Sequence, residues 1–302
     1  MCGIAGYFGI PNSKPRTSNI TNCIKLMKNR GPDFQDFYKK DFKNNSLLLI
    51  NSRLKILDKS NKSNQPMIDD NGVLVFNGLI YNYLEIKNYL SKFTSFKTNS
   101  DTEVLLNLYI ESGTKRFSEL NGMWAFIIYD QEKNLIIASR DRFGIKPMYI
   151  LENENEIYFS SEIKQLLPYQ GKKTVNTRVL SNYLHNYLLD YSEETFFDGI
   201  EKLPAMHTLT INLETKQKSL EKYWDFTPPQ EYVADDSDLI LQYKELLTSS
   251  VKMRLRSDVK VGNTLSGGLD SSSIAVLAQK YGADNFYNYS IINNNKVVKF
   301  IL

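Results

Sequence analysis

The chain has 302 residues, of which 42% are hydrophobic and 24% are charged. This composition is typical of a globular protein and excludes a disordered or collagen-like chain. The length suggests about two domains. The net charge of +3 is too small to indicate binding to nucleic acid or to an anionic membrane. We find no apolar run of membrane-spanning length and no secretory signal. Two cysteines, Cys2 and Cys23, exclude a disulfide framework, so we expect a cytoplasmic protein.

Short apolar runs predict eight strands in the first two-thirds of the chain. They are Gly3–Tyr7, Leu47–Ile50, Val73–Phe76, Met123–Tyr129, Leu135–Ser139, Met148–Leu151, Ile157–Ser160 and Thr208–Leu213. Helical spacing predicts helices around Ile20–Met27, Val104–Leu108 and Leu180–Tyr187, and Ser100 is placed to cap the second of these with Glu103. Because most strands follow one another directly, the pattern favours an antiparallel α+β fold.

The pattern changes near residue 225, where Thr227-Pro228-Pro229 predicts a linker. A long amphipathic helix follows, and the apolar residues predicted to share its buried face are Leu239, Tyr243, Leu246, Leu247 and Val251. The runs Val259–Leu265, Ser271–Lys280 and Phe286–Ile292 then predict a strand, a helix and a second strand. This order is typical of a parallel βαβ unit.

Cys2 becomes the first residue if Met1 is removed, as is usual before a small residue. It then carries a thiol and an α-amino group, whose ordinary pKa values are about 8.5 and about 8. The amine can take the proton of the thiol directly or through a water, so no histidine is required. A small apolar residue at the start of a strand is the alternative interpretation of Cys2.

Three further segments carry polar or charged groups, each of which also has an ordinary structural interpretation. Asn77 and the N–H of Gly78 can donate to one oxyanion, although Asn-Gly is also a common hairpin turn. Asp101 lies where a helix is predicted to begin, a position that the helix dipole alone would explain. Arg53 can pair with a carboxylate or can be an ordinary surface arginine.

A glycine- and serine-rich loop, Leu265–Ser272, joins the predicted strand to the predicted helix. Its two glycines allow a tight bend, and the helix start offers N–H groups and a positive dipole end to an anion such as pyrophosphate. Asp270 would repel a bare phosphate and therefore indicates a bridging Mg²⁺. A strand-to-helix turn with Ser and Asp near the N-cap is the alternative.

Eight collinear segments over about 165 residues together resemble the N-terminal-nucleophile glutaminase domain of class II glutamine amidotransferases. They are Met1–Gly6, Arg30–Asp33, Arg53-Leu54, Phe76–Gly78, Ser100–Glu103, Leu120–Gly122, Arg140–Pro147 and Ser161–Lys164. The resemblance implies a four-layer αββα sandwich in which Cys2 attacks the glutamine amide and Asn77 with Gly78 holds the oxyanion. It also implies that Arg53 binds the α-carboxylate and Asp101 the α-ammonium.

The loop resembles that of ATP-pyrophosphatases, and the whole chain resembles glutamine-hydrolysing asparagine synthetases. This implies an amidotransferase domain over 2–215, a linker over 216–235 and the first part of a parallel-sheet α/β synthetase domain over 236–302. ATP is the implied co-substrate, with Mg²⁺ at Asp270, and ammonia would displace AMP from β-aspartyl-AMP to give asparagine. The residues implied to bind ATP or pyrophosphate are Leu265, Ser266, Gly267, Gly268, Asp270, Ser271 and Ser272. The expected partners are glutamine, ATP and aspartate, without nucleic acid or membrane, and a homodimer is left open.

The chain departs from this family in two ways. Leu79 stands where the family usually has a glutamate that contacts the substrate ammonium, and a lost charged partner is worth about 1.5–3 kcal/mol. We therefore expect weaker glutamine binding unless a carboxylate such as Glu103 compensates. The short synthetase part leads us to expect that this chain does not make asparagine, and that its second strand has an unpaired edge. The alternatives are a different acceptor, such as a sugar carboxylate in surface polysaccharide, a glutaminase alone, and a non-catalytic remnant.

Overall fold

The computed structural model describes residues 2–9, 17–228, 235–282, 286–293 and 298–301. Met1 and Pro229 of the sequence motifs, together with 294–297 and Leu302, lie outside the described residues. The chain forms two compact units. The first comprises Met1–Lys55 with Ser60–Asp225, and the second comprises Ile56–Lys59 with Phe226–Leu302.

The first unit contains twelve strands and four α-helices within its described residues. In chain order they are β1 (Gly3–Gly9), α1 (Thr17–Met27), β2 (Phe34–Asp41), β3 (Ser46–Arg53), β4 (Met67–Ile68), β5 (Gly72–Ile80), α2 (Tyr83–Leu90), α3 (Asp101–Ser112), β6 (Gly122–Asp130), β7 (Leu135–Arg140), β8 (Tyr149–Asn153), β9 (Glu156–Ser160), α4 (Thr177–Asn186), β10 (Ile200–Lys202), β11 (His207–Asn212) and β12 (Lys218–Lys222). The strands form two six-stranded sheets, ordered β10-β8-β9-β1-β3-β2 and β12-β11-β7-β6-β5-β4. Neighbouring strands are antiparallel throughout both sheets.

The two sheets pack face to face over one hydrophobic core. Alternate residues of β1 and β3 point into it, including Ile4 and Leu49, and they meet alternate residues of β5 and β6, including Val75 and Ile127. Helix α1 covers the outer face of the first sheet. Helix α3 packs on the outer side of β5 and α2 packs on α3. The result is the four-layer αββα sandwich that the resemblance implied.

All eight strands and all three helices predicted in this unit are present, and the prediction of antiparallel sheets is confirmed. The strands missed include β2 and β12, whose sequences are mostly polar because they lie at sheet edges with one side in water. Strand β12 lies within the stretch 216–235 that we expected to be a linker, and it pairs with β11, so the first unit extends to Asp225.

The predicted capping box at α3 is half correct. The Ser100 hydroxyl caps the helix by accepting from the Thr102 N–H at 3.0 Å. Glu103 does not return to the Ser100 N–H, which instead donates to the Thr98 hydroxyl at 3.2 Å. The carboxylate of Glu103 accepts from the N–H groups of Lys97 and Thr98 at 2.8 and 2.7 Å. Glu103 therefore fixes the loop that leads into α3.

The second unit contains the predicted strand–helix–strand order. Its elements are α5 (Asp236–Arg254), β13 (Val261–Thr264), α6 (Leu269–Gly282), β14 (Phe286–Asn293) and β15 (Val298–Ile301). Strands β13 and β14 are parallel, which confirms the βαβ prediction. The expectation of an unpaired edge on β14 is wrong, because β15 pairs with it antiparallel.

The buried face predicted for α5 is correct only near its C-terminal end. Val251 and Leu247 pack in a small core with Ala278 and Phe286. Tyr243 and Leu246 are 68% and 72% exposed, and Leu239 is exposed as well. The three-stranded sheet and one further helix of this unit are too small to cover the length of a 19-residue helix. Among the described helices, none has the length and hydropathy needed to cross a bilayer.

Candidate active site

Strand alternation places Cys2 and Asn77 at the same end of the space between the two sheets. Ile4 of β1 faces the core, so Cys2, two residues earlier, continues the same inward-facing row. On β5, Val75 faces the core and Asn77 follows it by two residues. Arg53 ends the inward-facing row of β3, whose residue 52 is paired with Gly3. The three polar side chains thus continue the inward-facing rows that contain Ile4, Leu49 and Val75.

The sulfur of Cys2 lies against the chain just after β3. The Leu54 N–H donates to Sγ at 3.4 Å, and the thiol faces the Leu54 carbonyl oxygen at 3.7 Å. Burial raises the pKa of the Cys2 thiol, while the Leu54 hydrogen bond and the positive charge of Arg53 act in the opposite direction. A buried thiol with a raised pKa needs a base close by before it can act as a nucleophile.

Asn77 is fully buried, and its amide is unusual. Neither its Nδ2 nor its Oδ1 has a hydrogen-bond partner within the described part of the chain. A buried polar group without a partner costs about 1–3 kcal/mol, so such groups are rare unless a ligand completes them. The Asn77 amide is therefore positioned to bind a group that enters between the sheets.

Gly78 follows Asn77, and its N–H faces the open side of β5. Gly78 is paired with Trp124 of β6, but the N–H and C=O of Trp124 are both bonded to Asp141, at 3.1 and 2.9 Å. Gly78 and Trp124 are thus a non-hydrogen-bonded pair, and the Gly78 N–H is directed away from β6. A Cβ at position 78 would lie 2.2 Å from the Met123 carbonyl oxygen, so only glycine fits there.

The next amides on the same edge of β5 are occupied. The Phe76 N–H donates to Gln65 Oε1 at 2.6 Å, and the Ile80 N–H donates to Asp101 Oδ2 at 3.0 Å. Gly78 lies between these two satisfied donors. Its N–H and the Asn77 amide together form the pair of adjacent donors that the sequence predicted for an oxyanion.

Arg53 and Asp101 are two of the buried charged residues close to Cys2. The guanidinium of Arg53 donates to the Asn64 side chain at 2.9 Å and to the Ser63 hydroxyl at 3.0 Å, which fixes its plane. Burial raises the pKa of Asp101 to about 6, against the lowering effect of hydrogen bonds from the backbone and of the Arg53 charge. Both groups also influence the pKa of Cys2, so the three lie in one electrostatic environment.

Leu79 is half-buried and is the next inward-facing residue of β5 after Asn77. It presents no charge or hydrogen-bonding group at this point. Glu103 is held by the 97–98 loop and does not supply the missing carboxylate. Asp101 remains the acidic side chain that the structure brings near Asn77, through its bond to the Ile80 N–H.

The glycine–serine loop lies at the carboxyl end of β13, where α6 begins. Gly267 has a φ of +83°, which permits the bend, and the Ser266 and Ser271 hydroxyls are 3.0 Å apart. The Ser272 N–H already donates to the Gly268 carbonyl at 3.1 Å. The sequence-predicted residues take three places: Leu265 next to the strand, Ser266, Gly267 and Gly268 in the bend, and Asp270, Ser271 and Ser272 in the first turns of α6.

This loop contains one carboxylate, Asp270. The described residues include no group of three or more His, Cys, Asp or Glu side chains that could hold a metal ion. A single carboxylate suits Mg²⁺ only where phosphate oxygens supply other ligands, as is usual for nucleotide-bound magnesium. The loop therefore fits a metal that arrives with the nucleotide.

The family model of the glutamine amidotransferase domain matches residues 1–224. The chain belongs to this family. A second family model, asparagine synthase, matches residues 242–294 of the chain. The amidotransferase domain thus includes Cys2, Asn77, Gly78, Arg53 and Asp101, and the second match includes the glycine–serine loop.

Several curated proteins are similar to most of the chain. A putative glutamine-hydrolysing asparagine synthetase 2 of Methanocaldococcus jannaschii is 37% identical over 93% of this chain and 57% of its own length. Asparagine synthetase 2 of Bacillus subtilis is 38% identical over 92% of this chain and 38% of its own length. Amidase chry2 of Gibberella zeae is 31% identical over 91% of this chain and 42% of its own length. The chain spans about half the length of these relatives or less.

A solved structure, the glutamine phosphoribosylpyrophosphate amidotransferase of B. subtilis complexed with ADP and GMP, resembles the chain with a TM-score of 0.52. The likeness covers 95% of this chain and 65% of that one, at 17% identity. At this identity it shows a shared fold only. The prediction of the N-terminal-nucleophile amidotransferase fold is thereby confirmed.

Sequence reasoning left two basic residues of the amidotransferase domain without a role. Arg30 Nε donates to the Cys2 carbonyl at 2.9 Å, although the sequence indicates Arg30 only as part of a segment that resembles the family. Lys146 is buried, and its ammonium and the Cys2 thiol influence each other electrostatically. No sequence signal places either residue at Cys2, because 28 and 144 positions separate them along the chain.

Proposed function

We propose that this chain hydrolyses glutamine at Cys2, and that the ammonia amidates an ATP-activated aspartate, as in glutamine-hydrolysing asparagine synthetases. The observation that carries the glutamine step is the Asn77 amide, which is buried and unpartnered at the end of the inter-sheet space that Cys2 also faces. The aspartate step rests on the match of residues 242–294 to asparagine synthase and on the names of the relatives.

In the proposed reaction, removal of Met1 gives Cys2 a free α-amine. The amine takes the thiol proton, and Sγ attacks the side-chain carbonyl carbon of glutamine. The oxygen of the tetrahedral intermediate accepts from Asn77 Nδ2 and from the Gly78 N–H. The ammonium returns its proton to the leaving nitrogen, so ammonia departs and a thioester remains. Water then hydrolyses the thioester to glutamate and restores the thiol.

The same site would orient glutamine by its charged ends. Arg53 binds the α-carboxylate, and the contacts of its guanidinium to the 60–64 segment hold it in place. Asp101 binds the α-ammonium, whose charge favours the ionised carboxylate. Because Leu79 offers no second acceptor, the ammonium end is held by one carboxylate, and the affinity for glutamine is low.

The second unit would bind ATP at the glycine–serine loop. Ser266, Gly268 and the start of α6 would bind the phosphates, and Asp270 would hold a Mg²⁺ ion carried by the nucleotide. Bound Mg²⁺ neutralises phosphate charge. The two free cysteines fit a reducing cytoplasm as the location.

The glutamine step is tested by covalent trapping. The chain is treated with a glutamine analogue bearing a diazoketone, and intact mass and peptide mapping show whether Met1 is absent and where the label lies. We expect one label on Cys2, ammonia release from glutamine, and loss of both in Cys2→Ala. Cys23→Ala is the matched control and retains both, because burial raises the pKa of Cys23 to about 12 and makes it inert. A retained Met1 with full activity, or a label elsewhere, would refute the mechanism.

A different acceptor is the second candidate, because a relative of similar identity is named an amidase. Formation of AMP that depends on ATP and aspartate supports the aspartate reaction. Ammonia release with no AMP formation supports glutamine hydrolysis by itself. AMP formation with a sugar carboxylate and not with aspartate would support the alternative acceptor.

A further inference from the structure

The Arg30-Gly31-Pro32-Asp33 turn brings a guanidinium to the backbone of Cys2. Arg30 Nε donates to the Cys2 carbonyl at 2.9 Å, and Arg30 Nη1 bonds to Glu162 Oε1 at 3.3 Å. The Arg30 side chain is mostly buried, and its Nη2 has no hydrogen-bond partner among the described residues. A mostly buried guanidinium with an unused donor therefore lies beside the backbone of Cys2.

The turn itself is fixed at both ends. The Arg30 N–H donates to the Met27 carbonyl at the end of α1, at 2.9 Å, and the Asp33 N–H donates to the Arg53 carbonyl at the end of β3, at 3.1 Å. A Cβ on Gly31 would lie 2.0 Å from the Ser52 carbonyl oxygen, so glycine is required for the turn to approach β3. The backbone position of Arg30 is therefore fixed by the contacts of the turn with α1 and β3.

The strand that carries Cys2 is fixed on its other side by the segment that holds Glu162. The Ile4 N–H donates to the Ser161 hydroxyl at 3.0 Å, and the Ser161 N–H donates to the Ile4 carbonyl at 3.0 Å. Glu162 is the next residue and binds Arg30. Arg30 and the 161–162 segment thus bind each other, and both bind the backbone at the start of β1.

We propose that Arg30 is a positioning residue for the α-amine of Cys2, which it orients through the Cys2 carbonyl and keeps uncharged through its own positive charge. This inference rests on the proposed function, in which that amine is the base. The carbonyl and the amine share one Cα, so Nε lies within about 6.5 Å of the amine nitrogen. Fixing the carbonyl fixes the rotation about the Cα–C bond, and a nearby positive charge disfavours protonation of an amine.

Other charged groups also act on Cys2 or on Arg30, and the test must hold them constant. Arg53 and Lys146 are positive, and Asp101 is negative, near the thiol. Glu162 offsets part of the Arg30 charge. Arg30 donates one of its described hydrogen bonds to the backbone of the residue that carries the amine.

The test compares the full chain, from which Met1 has been removed, with the variants Arg30→Gln and Arg30→Lys. We expect Arg30→Gln to lower kcat/KM for glutamine hydrolysis about fivefold at pH 7 and less than about twofold at pH 9, because an α-amine ordinarily titrates near pH 8. Arg30→Lys retains the charge, so its loss should be equal at both pH values. Arg116→Gln, which breaks an exposed Arg–Glu pair, is the matched control and should equal the wild type.

A second readout does not depend on activity. With Sγ blocked as a methyl disulfide, the rate at which acetic anhydride acylates the Cys2 amine is measured against pH by mass spectrometry. We expect the midpoint of this titration to rise in Arg30→Gln and not in Glu162→Gln, which removes a negative charge. An unchanged midpoint in Arg30→Gln, or an equal loss of kcat/KM at pH 7 and pH 9, would overturn the proposal. Absence of Cys2-dependent glutamine hydrolysis in the wild type would instead refute the proposed function, while the amine titration still decides the role of Arg30.

Discussion

The Asn77 amide allows a prediction in which activity and stability respond in opposite ways. Replacing Asn77 by Ala removes one oxyanion donor, and the loss of such a donor costs about 2.7–4 kcal/mol of transition-state stabilisation. We therefore expect kcat for glutamine hydrolysis to fall about 10²–10³-fold. The reason is that Asn77 Nδ2, which has no partner among the described residues, can donate to the developing oxyanion without first breaking another hydrogen bond.

The same change should have little effect on stability. In the free protein, both polar atoms of the Asn77 side chain are buried without partners, which costs about 1–3 kcal/mol. Alanine removes that cost and leaves a small cavity that acts in the opposite direction. The two effects are similar in size, so we expect the free energy of unfolding to change by less than about 1 kcal/mol.

Asn82 is a suitable control because both ends of its amide are occupied. Its Nδ2 donates to the Glu119 carbonyl at 3.0 Å, and its Oδ1 accepts from the Asn121 N–H at 2.9 Å. Asn82→Ala should lower the free energy of unfolding by about 1–2 kcal/mol and leave kcat unchanged. Ammonia release and urea denaturation measure the two quantities. A loss of kcat below tenfold in Asn77→Ala, or a destabilisation equal to that of Asn82→Ala, would refute the oxyanion role.

Four further predictions concern three neighbouring residues. Gly78→Ala should destabilise the chain by more than about 2 kcal/mol and lower kcat, because the new Cβ meets the Met123 carbonyl oxygen. Gly171→Ala is the control: its new Cβ meets no atom within 4 Å, so its stability in thermal denaturation should be unchanged. Because burial raises the pKa of Asp101 to about 6, the ionised carboxylate is lost below that pH; KM for glutamine should rise as pH falls from 7 to 5, and it should not do so in Asp101→Asn. The same raised pKa of Asp101 also affects stability: its contribution to the free energy of unfolding is present below about pH 4 and is lost as pH rises through about 6. In urea denaturation, Asp101→Asn should therefore stabilise the chain more at pH 8 than at pH 4. Leu79→Glu should lower KM for glutamine about tenfold, and an unchanged KM would contradict the assignment of weak binding to this position.

The apolar strands of the sandwich could be predicted because alternation and burial leave a clear pattern in the sequence. Strands β2 and β12 could not, because each lies at a sheet edge and forms its bonds through the backbone with polar side chains. The buried face of α5 was overestimated for a related reason. Leu239, Tyr243 and Leu246 have helical spacing, but the elements that pack on α5 reach only its last turns.

The candidate site likewise contains residues that the sequence predicts and contacts that only the structure shows. Cys2, Asn77 and Gly78 are visible in the sequence because they lie in collinear segments that together resemble the family. No pattern in the sequence indicates that Glu103 accepts from the 97–98 loop or that Arg30 binds the Cys2 carbonyl. Those contacts join residues that are close together only after the chain has formed both sheets and their connecting turns.

The sequence by itself determined the strand pattern, the antiparallel character of the first unit and the residue types able to carry the chemistry, because those properties depend on local periodicity and on functional groups. Only the tertiary structure decided which of these groups are left without partners and which charges surround them. Asn77 shows the difference most clearly. Its residue type suggests a donor, but the unpartnered amide exists because two packed sheets exclude water from it and supply no acceptor in return.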